Sequence, residues 1–311
     1  MSIFFKSPID IEILFDGEES RKHVEIANNA DSSGTKTLKD RYPLYEDGES
    51  VSGIVTLRVK EGKKMEHFGV KVSLMGTIDM TKSNSESKKR AIDNFLCLSA
   101  DLCPPGDLVH SQSFPFKFKD VEKRYESYRG KNVDVMHYVK VTVLRKSTDI
   151  VKLKKFWCYL YNSVPPAQIP SAHDEVKPVK LDIGIENCLH IEFEYSKSQY
   201  ALKDVIVGRI YFLLTRLKVK HMEISLVTRE TCGIEPNQLS DSTSIRYEIM
   251  DGSPVKGETI PIRLFLGGYD LTPNITSNFF SIKNYLSLVI IDEDGRRYFK
   301  QTEVFLYRTR S

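Results

Sequence analysis

The sequence predicts an all-β protein made of two tandem β-sandwich lobes that are internal duplicates. Three observations support this prediction: short segments in which apolar and polar residues alternate, clusters of turn-forming residues between them, and matching segments that recur about 150 residues further along the chain. Amphipathic segments with a helical period are scarce. Many short strands separated by regular turns are typical of β-sandwiches.

The length and composition of the chain suit two globular domains. At roughly 100–200 residues per domain, a chain of 311 residues predicts two domains. Hydrophobic residues make up 41% and charged residues 28%, so the chain can bury a core rather than stay disordered. The net charge of +3 is too small to indicate that the protein binds nucleic acid.

The strand predictions depend on a period of two, because residues two apart in a strand share a face of the sheet. The alternation is clearest at 51–60, 70–74, 114–118, 138–143, 190–195 and 247–250. Turn-forming clusters separate such segments, at 47–48, 104–106, 251–252 and 294–295. Pro115 and Pro261 lie inside strand-like segments and predict edge strands or bulges there, because proline cannot donate a hydrogen bond to the ladder.

The internal repeat consists of four features that recur in the same order. The matches pair Tyr45 and Gly53 with Tyr200 and Gly208, the segment at His67 with that at His221, the strand around Pro115 with that around Pro261, and the segment at Tyr138 with that at Tyr285. A proline-rich stretch at 162–180 suits an extended linker between the copies. We place the first lobe at 1–165 and the second at 166–311, with polar surface loops at 28–39 and 81–90.

The cysteines and the N-terminus indicate a reducing compartment. The five cysteines are odd in number and no pair has Cys-x-x-Cys spacing, which argues against a disulfide framework and a zinc knuckle. Cys188 lies in a strand-like apolar segment and is predicted to be a small buried hydrophobe. The first residues lack the pattern of a signal peptide, and no apolar run approaches the roughly 20 residues that span a bilayer. We therefore expect a soluble, cytosolic protein.

No catalytic or metal-binding signature is present in the sequence. The nucleophile elbow, zinc-protease, dinucleotide and P-loop patterns are all absent. The seven histidines are scattered, and His67 and His221 fall at equivalent positions of the repeat, which predicts shared features of the fold rather than ligands. We expect no catalytic residues, no metal and no cofactor, and hence a non-enzymatic protein that acts by binding other proteins.

Longer segments of the chain resemble one known family. The repeated Tyr-to-Gly strand and the strands around Pro115 and Pro261 look like the arrestin fold. From about Ile9 to Arg310 the chain is similar to the arrestin-like subunit of retromer, the vacuolar protein sorting 26 family. The segments that resemble it are GIENCLHIEFEY (184–195), LKDVIVG (202–208), YEIMDGSPVKGE (247–258), IPIRLFL (260–266) and DEDGRRYFKQ (292–301) in the second lobe, and DGESVSG (47–53) and EKRYESY (122–128) in the first. The insertion at 28–39 and the linker at 163–177 depart from the family, whose polar C-terminal tail we expect to be short or missing after Ser311.

The resemblance implies an arrestin-like fold and a role in cargo sorting. It implies a subunit of the retromer coat complex that binds the large α-solenoid subunit and helps to select transmembrane cargo for endosome-to-Golgi retrieval. The expected partners are that subunit, sorting nexins and the cytosolic tails of cargo, without nucleic acid. The expected location is cytoplasmic, peripheral on endosomal membranes, with weak or indirect membrane association.

The resemblance also places two candidate sites in the second lobe. The solenoid contact is expected at the end of one strand and its turn, at Tyr247, Ile249, Met250, Asp251 and Gly252. Neighbouring strand residues point to opposite faces, so we expect at least one of Ile249 and Met250 to be exposed. A contact for cargo and sorting nexins is expected at a strand edge formed by Arg297, Tyr298 and Phe299. For both sites the alternative is that these apolar residues simply face the core.

Two other functions remain open at this point. An arrestin-related adaptor that links membrane cargo to a ubiquitin ligase usually carries Pro-Pro-x-Tyr motifs, and the Pro-Pro pairs at 104–105 and 165–166 lack that tyrosine. A hydrolase built on a β-sandwich would need a convergent polar constellation, and the sequence shows none. The basic clusters at 88–90, 152–155 and 216–220 are either solvated faces or weak attractions to an anionic membrane surface.

Overall fold

The computed structural model describes residues 7–27, 39–82, 92–161, 178–233 and 238–310. Apart from their ends, the loops predicted at 28–39 and 81–90 and the linker predicted at 162–180 lie outside these residues, as does the boundary predicted near residue 165. The chain divides into two compact units, Met1–Leu160 and Tyr161–Ser311.

The described part of the first unit consists of twelve β-strands and one short 3₁₀ turn at Glu18–Ser20. The strands are β1 (Ile9–Phe15), β2 (His23–Ala27), β3 (Lys39–Glu46), β4 (Val51–Val59), β5 (Met65–His67), β6 (Val70–Asp79), β7 (Ile92–Cys103), β8 (Gly106–Leu108), β9 (Gln112–Phe118), β10 (Tyr128–Arg129), β11 (Asp134–Val143) and β12 (Ile150–Tyr159).

The described part of the second unit adds ten strands. They are β13 (Val179–Ile185), β14 (Leu189–Tyr195), β15 (Gln199–Ala201), β16 (Val205–Thr215), β17 (Val219–Cys232), β18 (Gln238–Asp251), β19 (Thr259–Phe265), β20 (Ile275–Thr276), β21 (Phe280–Asp292) and β22 (Arg297–Tyr307). The all-β architecture predicted from the alternating pattern is confirmed.

The two main sheets of each unit share one strand order, except that β2 in the first unit and β13 in the second are additional edge strands. In the first unit the sheets run β1-β4-β9 and β2-β3-β12-β11-β6-β7, and in the second they run β13-β14-β16-β19 and β15-β22-β21-β17-β18. The parallel pair β3–β12 corresponds to the parallel pair β15–β22. β9 and β19, which contain Pro115 and Pro261, lie at sheet edges as predicted.

Each unit has its own hydrophobic core, formed by the inward-facing residues of its two sheets. In the first unit Val55, Val72 and Val139 are fully buried, and in the second Ile210 and Leu288 are. Burying such a side chain contributes roughly 1.5–3 kcal/mol, so the alternating pattern supplies most of the driving force for these sandwiches.

The strand ladders support one part of the predicted repeat at the level of single residues. Gly53 pairs with Phe116 and Gly208 with Ile262, so the two glycines occupy the same place opposite the proline strands. A Cβ atom at Gly208 would lie only 2.6 Å from the carbonyl oxygen of Glu194, and one at Gly53 would clash with that of Leu14. The repeated glycine is therefore required by close backbone approach.

The predicted equivalence of His67 and His221 is wrong. Val72 pairs with Val141 and Ile224 with Leu288, so the repeat aligns Val72 with Ile224. Under that alignment the two histidines are two residues out of register. His67 ends a separate short strand, β5, whereas His221 lies within β17 beside a bulge. A shift of two residues keeps the same side chains on each face of a strand, so matching the alternating pattern could not detect it.

Cys188 also differs from its prediction. It lies in the turn at 186–188 between β13 and β14, and its side chain is half-buried rather than buried. Asn187 in the same turn has a φ of 56°, a left-handed conformation that asparagine tolerates better than most residues do. The segment therefore reverses direction where the apolar pattern predicted a continuous strand.

Two buried polar residues organise the end of the first unit. The ammonium group of Lys123, which is fully buried, donates to the carbonyl oxygens of Glu46 (2.7 Å), Glu49 (2.7 Å) and Val121 (3.2 Å). His137 is also fully buried, and its Nδ1 lies 3.0 Å from the hydroxyl oxygen of Ser127. Burial lowers the pKa of His137 to about 4. The polar side chains of Lys123 and Ser127, in the segment 122–128, therefore form their hydrogen bonds inside the fold.

Candidate functional site

Strand β18 lies at one edge of the larger sheet of the second unit. It pairs with β17 on one side, and among the described residues no strand pairs with its other side. The side chains of β18 that face the core become more exposed towards the end of the strand, because Ile245 is buried whereas Tyr247 is 43% exposed. An exposed tyrosine at an open strand edge can bury apolar area and still donate a hydrogen bond to a partner.

A β-bulge at Ile249 changes the expected exposure of this segment. Met250 pairs with Met222 and Glu248 pairs with Glu223, so Ile249 is the extra residue. Both Ile249 and Met250 are half-buried and pack against the core, in contrast to the prediction that one of them would be exposed. The bulge interrupts the strict in-and-out alternation on which that prediction depended.

The turn that follows β18 is held to the start of β17. Gly252 has a φ of 94°, a conformation that favours glycine, and its N–H donates to the carbonyl oxygen of Lys220 at 2.8 Å. The hydroxyl of Ser253 donates to the carbonyl oxygen of Val219 at 3.0 Å and accepts from the N–H of Val219 at 2.8 Å. Asp251 is therefore presented on an ordered turn.

A cluster of charged side chains lies on the opposite face of this strand edge from Tyr247. The nearly buried carboxylate of Glu223 lies 3.4 Å from His221 Nε2 and 3.5 Å from Arg246 Nε. His221 Nδ1 lies 3.6 Å from Glu248. The site thus combines a half-buried apolar surface and an exposed aromatic with charged side chains on the opposite face of the strand edge.

The second candidate segment lies at the start of β22. Phe299 is 59% exposed, and the guanidinium carbon of Arg297 lies 5.9 Å from the centre of its ring. Tyr298 is half-buried against the core, and its hydroxyl donates to Asp292 Oδ2 at 3.1 Å. The alternation of the strand therefore separates the two aromatic residues, placing only Phe299 in solvent.

The backbone of β22 presents unused hydrogen-bonding groups beside Phe299. β15 pairs with β22 only at Phe305–Tyr307, where the N–H of Phe305 donates to Ser198 at 2.8 Å. N–H and C=O groups alternate in direction along a strand, so those of Phe299, Gln301 and Glu303 point to the same side as those of Phe305. Within the described residues no strand pairs with that stretch of the edge.

Two features do not occur in the described ranges. There, no group of three or more His, Cys, Asp or Glu side chains could hold a metal ion. No helix in those ranges has the length and apolar character needed to cross a membrane.

Comparison with known proteins decides the family. The family model described as vacuolar protein sorting-associated protein 26, Vps26, matches residues 5–295. The chain belongs to the Vps26 family. This confirms the resemblance seen in the sequence, and the all-β architecture agrees with the arrestin-like fold of the Vps26 family.

Curated Vps26 relatives match along nearly their whole length. The chain is 59% identical to carboxypeptidase Y-deficient protein 8 of Saccharomyces cerevisiae over 379 aligned residues, which cover all of both chains. It is 46% identical to vacuolar protein sorting-associated protein 26 of Schizosaccharomyces pombe, covering 100% of this chain and 99% of that one. It is 45% identical to vacuolar protein sorting-associated protein 26B of Homo sapiens, covering 99% and 88%. The Vps26 model match includes 247–252 and stops just before Arg297.

Proposed function

We propose that this chain is a non-enzymatic subunit of a retromer-type coat, binds the large α-solenoid subunit of that complex, and helps to select transmembrane cargo for endosome-to-Golgi retrieval. The names of its relatives state a role in vacuolar protein sorting. The observation on which the proposal mainly depends is the open edge of β18, with Tyr247 exposed beside Ile249 and Met250.

The end of β18 is suited to contact a helical partner. Tyr247 would be buried against the solenoid as an aromatic anchor, while Ile249 and Met250 would supply a shallow apolar surface that needs little rearrangement. Asp251 and Gly252, held by the turn, would fix the register of the contact. Because a few buried aromatic anchors supply most of the binding energy of an interface, removing the aromatic side chain should cost most of the affinity.

Calorimetric titration of the chain with the large solenoid subunit tests this assignment. The decisive variants are Tyr247→Ala and the double substitution Ile249→Asp/Met250→Asn. Phe265→Ala is the matched control, because Phe265 is 62% exposed on the other sheet of the same unit. Ile249 and Met250 pack against the core, so each variant also needs a thermal unfolding curve.

We expect the parent and Phe265→Ala to bind equally, and both site variants to lose binding while they remain folded. An aromatic anchor of this kind contributes about 2 kcal/mol or more, which corresponds to at least about thirtyfold in affinity. Equal binding by all four proteins would remove the solenoid contact from β18. No binding by the parent would remove the retromer assignment itself.

The edge of β22 is the second part of the proposal, as the contact for cargo tails and sorting nexins. An extended cargo peptide would pair with the outward backbone groups near Phe299, and Phe299 with Arg297 would select its side chains. Such a contact is weak alone, and many coat subunits on one endosomal membrane would strengthen it by multivalency. Titration of cargo-tail peptides together with a sorting nexin should show binding that Phe299→Ser reduces and Phe265→Ser leaves unchanged.

A further inference from the structure

Strand β12 of the first unit repeats the pairing of β22 in the second. β12 pairs with β11 on one side, and on its other side β3 runs parallel to it only at Trp157–Tyr159. In the same way β22 pairs with β21, and β15 runs parallel to it only at Phe305–Tyr307. Both strands therefore have a short covered end and a longer open stretch.

One pair of backbone hydrogen bonds fixes the correspondence between these strands. The N–H of Cys158 donates to the hydroxyl oxygen of Ser127 at 2.9 Å, and the C=O of Cys158 accepts from the N–H of Ser127 at 2.9 Å. Leu306 has the same relation to Asn274, with distances of 3.2 and 2.9 Å. Cys158 and Leu306 thus occupy equivalent positions.

The position of Cys158 determines which groups of β12 face outward. Ser127 lies on the β11 side of the strand, because its hydroxyl oxygen is 3.0 Å from Nδ1 of His137 in β11. Since backbone groups alternate in direction, the N–H and C=O groups on the opposite side are those of Val151, Leu153 and Lys155. No strand in the described ranges pairs with that stretch, which we call the basic edge (151–155).

The side chains of the basic edge combine apolar surface with unpaired positive charge. Val151 is 48% and Leu153 is 46% exposed. Among the described residues the ammonium groups of Lys152 and Lys155 form no ion pair. Lys154 differs from them, because its ammonium group turns back towards β1 and pairs with Glu18 at 2.6 Å.

Lysines on an open edge also influence which strand can be added there. A second copy of the same edge would bring lysine against lysine, so the charge opposes self-association. The same charge attracts a strand that carries carboxylates. The register places Lys140, a third lysine without an ion pair among the described residues, opposite Leu153. Lys140 and Lys155 therefore lie on the face of Val151 and Leu153, and Lys152 lies on the opposite face.

We propose that the basic edge accepts an extended acidic segment of a partner protein as an added β-strand. The outward backbone groups of Val151, Leu153 and Lys155 supply main-chain hydrogen bonds. The two apolar side chains cover alternate apolar residues of the incoming strand, Lys152 pairs with its carboxylates on the opposite face, and Lys155 adds positive charge at the end of the apolar row. The site lies in the first unit and shares no residue with the contacts proposed on β18 and β22.

Fluorescence anisotropy with a defined panel of peptides tests the proposal. The probes are labelled 12-residue peptides with Glu at every second position and Val, Leu or Phe between, each with a matched peptide in which Lys replaces Glu. The proteins are the full chain, Leu153→Pro, the double substitution Lys152→Glu/Lys155→Glu, and Gln301→Pro as the matched change on β22. Proline at 153 removes an outward N–H and leaves the ladder with β11 intact.

We expect acidic peptides to bind the parent and Gln301→Pro, and Leu153→Pro and the charge reversal each to weaken binding about tenfold or more. Amide hydrogen exchange supplies a readout independent of any variant: the N–H groups of Val151, Leu153 and Lys155 exchange quickly in the free chain and slowly with peptide. The proposal is overturned if no acidic peptide binds, or if Leu153→Pro binds as the parent does. It is also overturned if these amides stay unprotected while the lysines attract vesicles containing phosphatidylserine.

Discussion

Acidification should destabilise the first unit through His137. Its pKa is lowered by burial from the usual 6.5 to about 4, so the folded protein binds this proton less tightly than the unfolded protein does. Between these values the unfolded state takes up more protons, and stability therefore falls as the pH falls. The contribution is about 2 kcal/mol at pH 5 relative to pH 7, and approaches roughly 3 kcal/mol below pH 4.

The assay can follow the first unit alone. The chain has one tryptophan, Trp157, which lies in β12 next to Phe156, the ladder partner of His137. Urea unfolding followed by its fluorescence at pH 7 and pH 5 gives the free energy of unfolding, for the parent and for His137→Gln. The variant lacks the titrating group, so we expect its pH dependence to be smaller by about 2 kcal/mol. The same pH dependence in both proteins would refute the role of His137.

The remaining predictions concern packing, a buried charge and thiol chemistry. Gly208→Ala should destabilise the second unit by about 1–3 kcal/mol in thermal unfolding, because the new Cβ would lie 2.6 Å from a carbonyl oxygen. Gly184→Ala is the control and should be close to neutral, because its Cβ would meet nothing within 4 Å. Lys123→Met should cost about 3 kcal/mol in the tryptophan assay, because it removes the donor that three carbonyl oxygens share. Iodoacetamide should modify the exposed Cys97 in the native chain and reach Cys158 only after unfolding, because Cys158 is buried and burial raises the pKa of its thiol. Equal rates of modification of the two thiols, measured by mass spectrometry, would contradict this.

The sequence predicted those features that depend on neighbours along one strand. Alternation identified the strands, and the paired prolines identified edge strands, because each has a local chemical cause. The paired glycines marked the repeat, and the structure shows that close backbone approach requires them. The placement of Tyr298 and Phe299 on opposite faces also follows from alternation once the strand is known.

Features that depend on the partner strand could not be predicted. The bulge at Ile249 exists because β18 has one more residue than the facing part of β17, and alternation within β18 does not reveal this. The misalignment of the histidines also becomes visible only from the pairing of β6 with β11 and of β17 with β21. The burial of Lys123 is equally hidden, because a lysine is normally exposed and only the fold brings three carbonyl oxygens to it.

The most direct test of the central claim is site-specific photocrosslinking at the end of β18. A photoreactive phenylalanine analogue at Tyr247 should crosslink to the large solenoid subunit. The same analogue at Phe265, which is also exposed but lies on the other sheet, should not. A crosslink from position 247 alone is the result that the proposed binding site predicts. Crosslinks only from position 265, or from neither position in a complex that demonstrably forms, would contradict it.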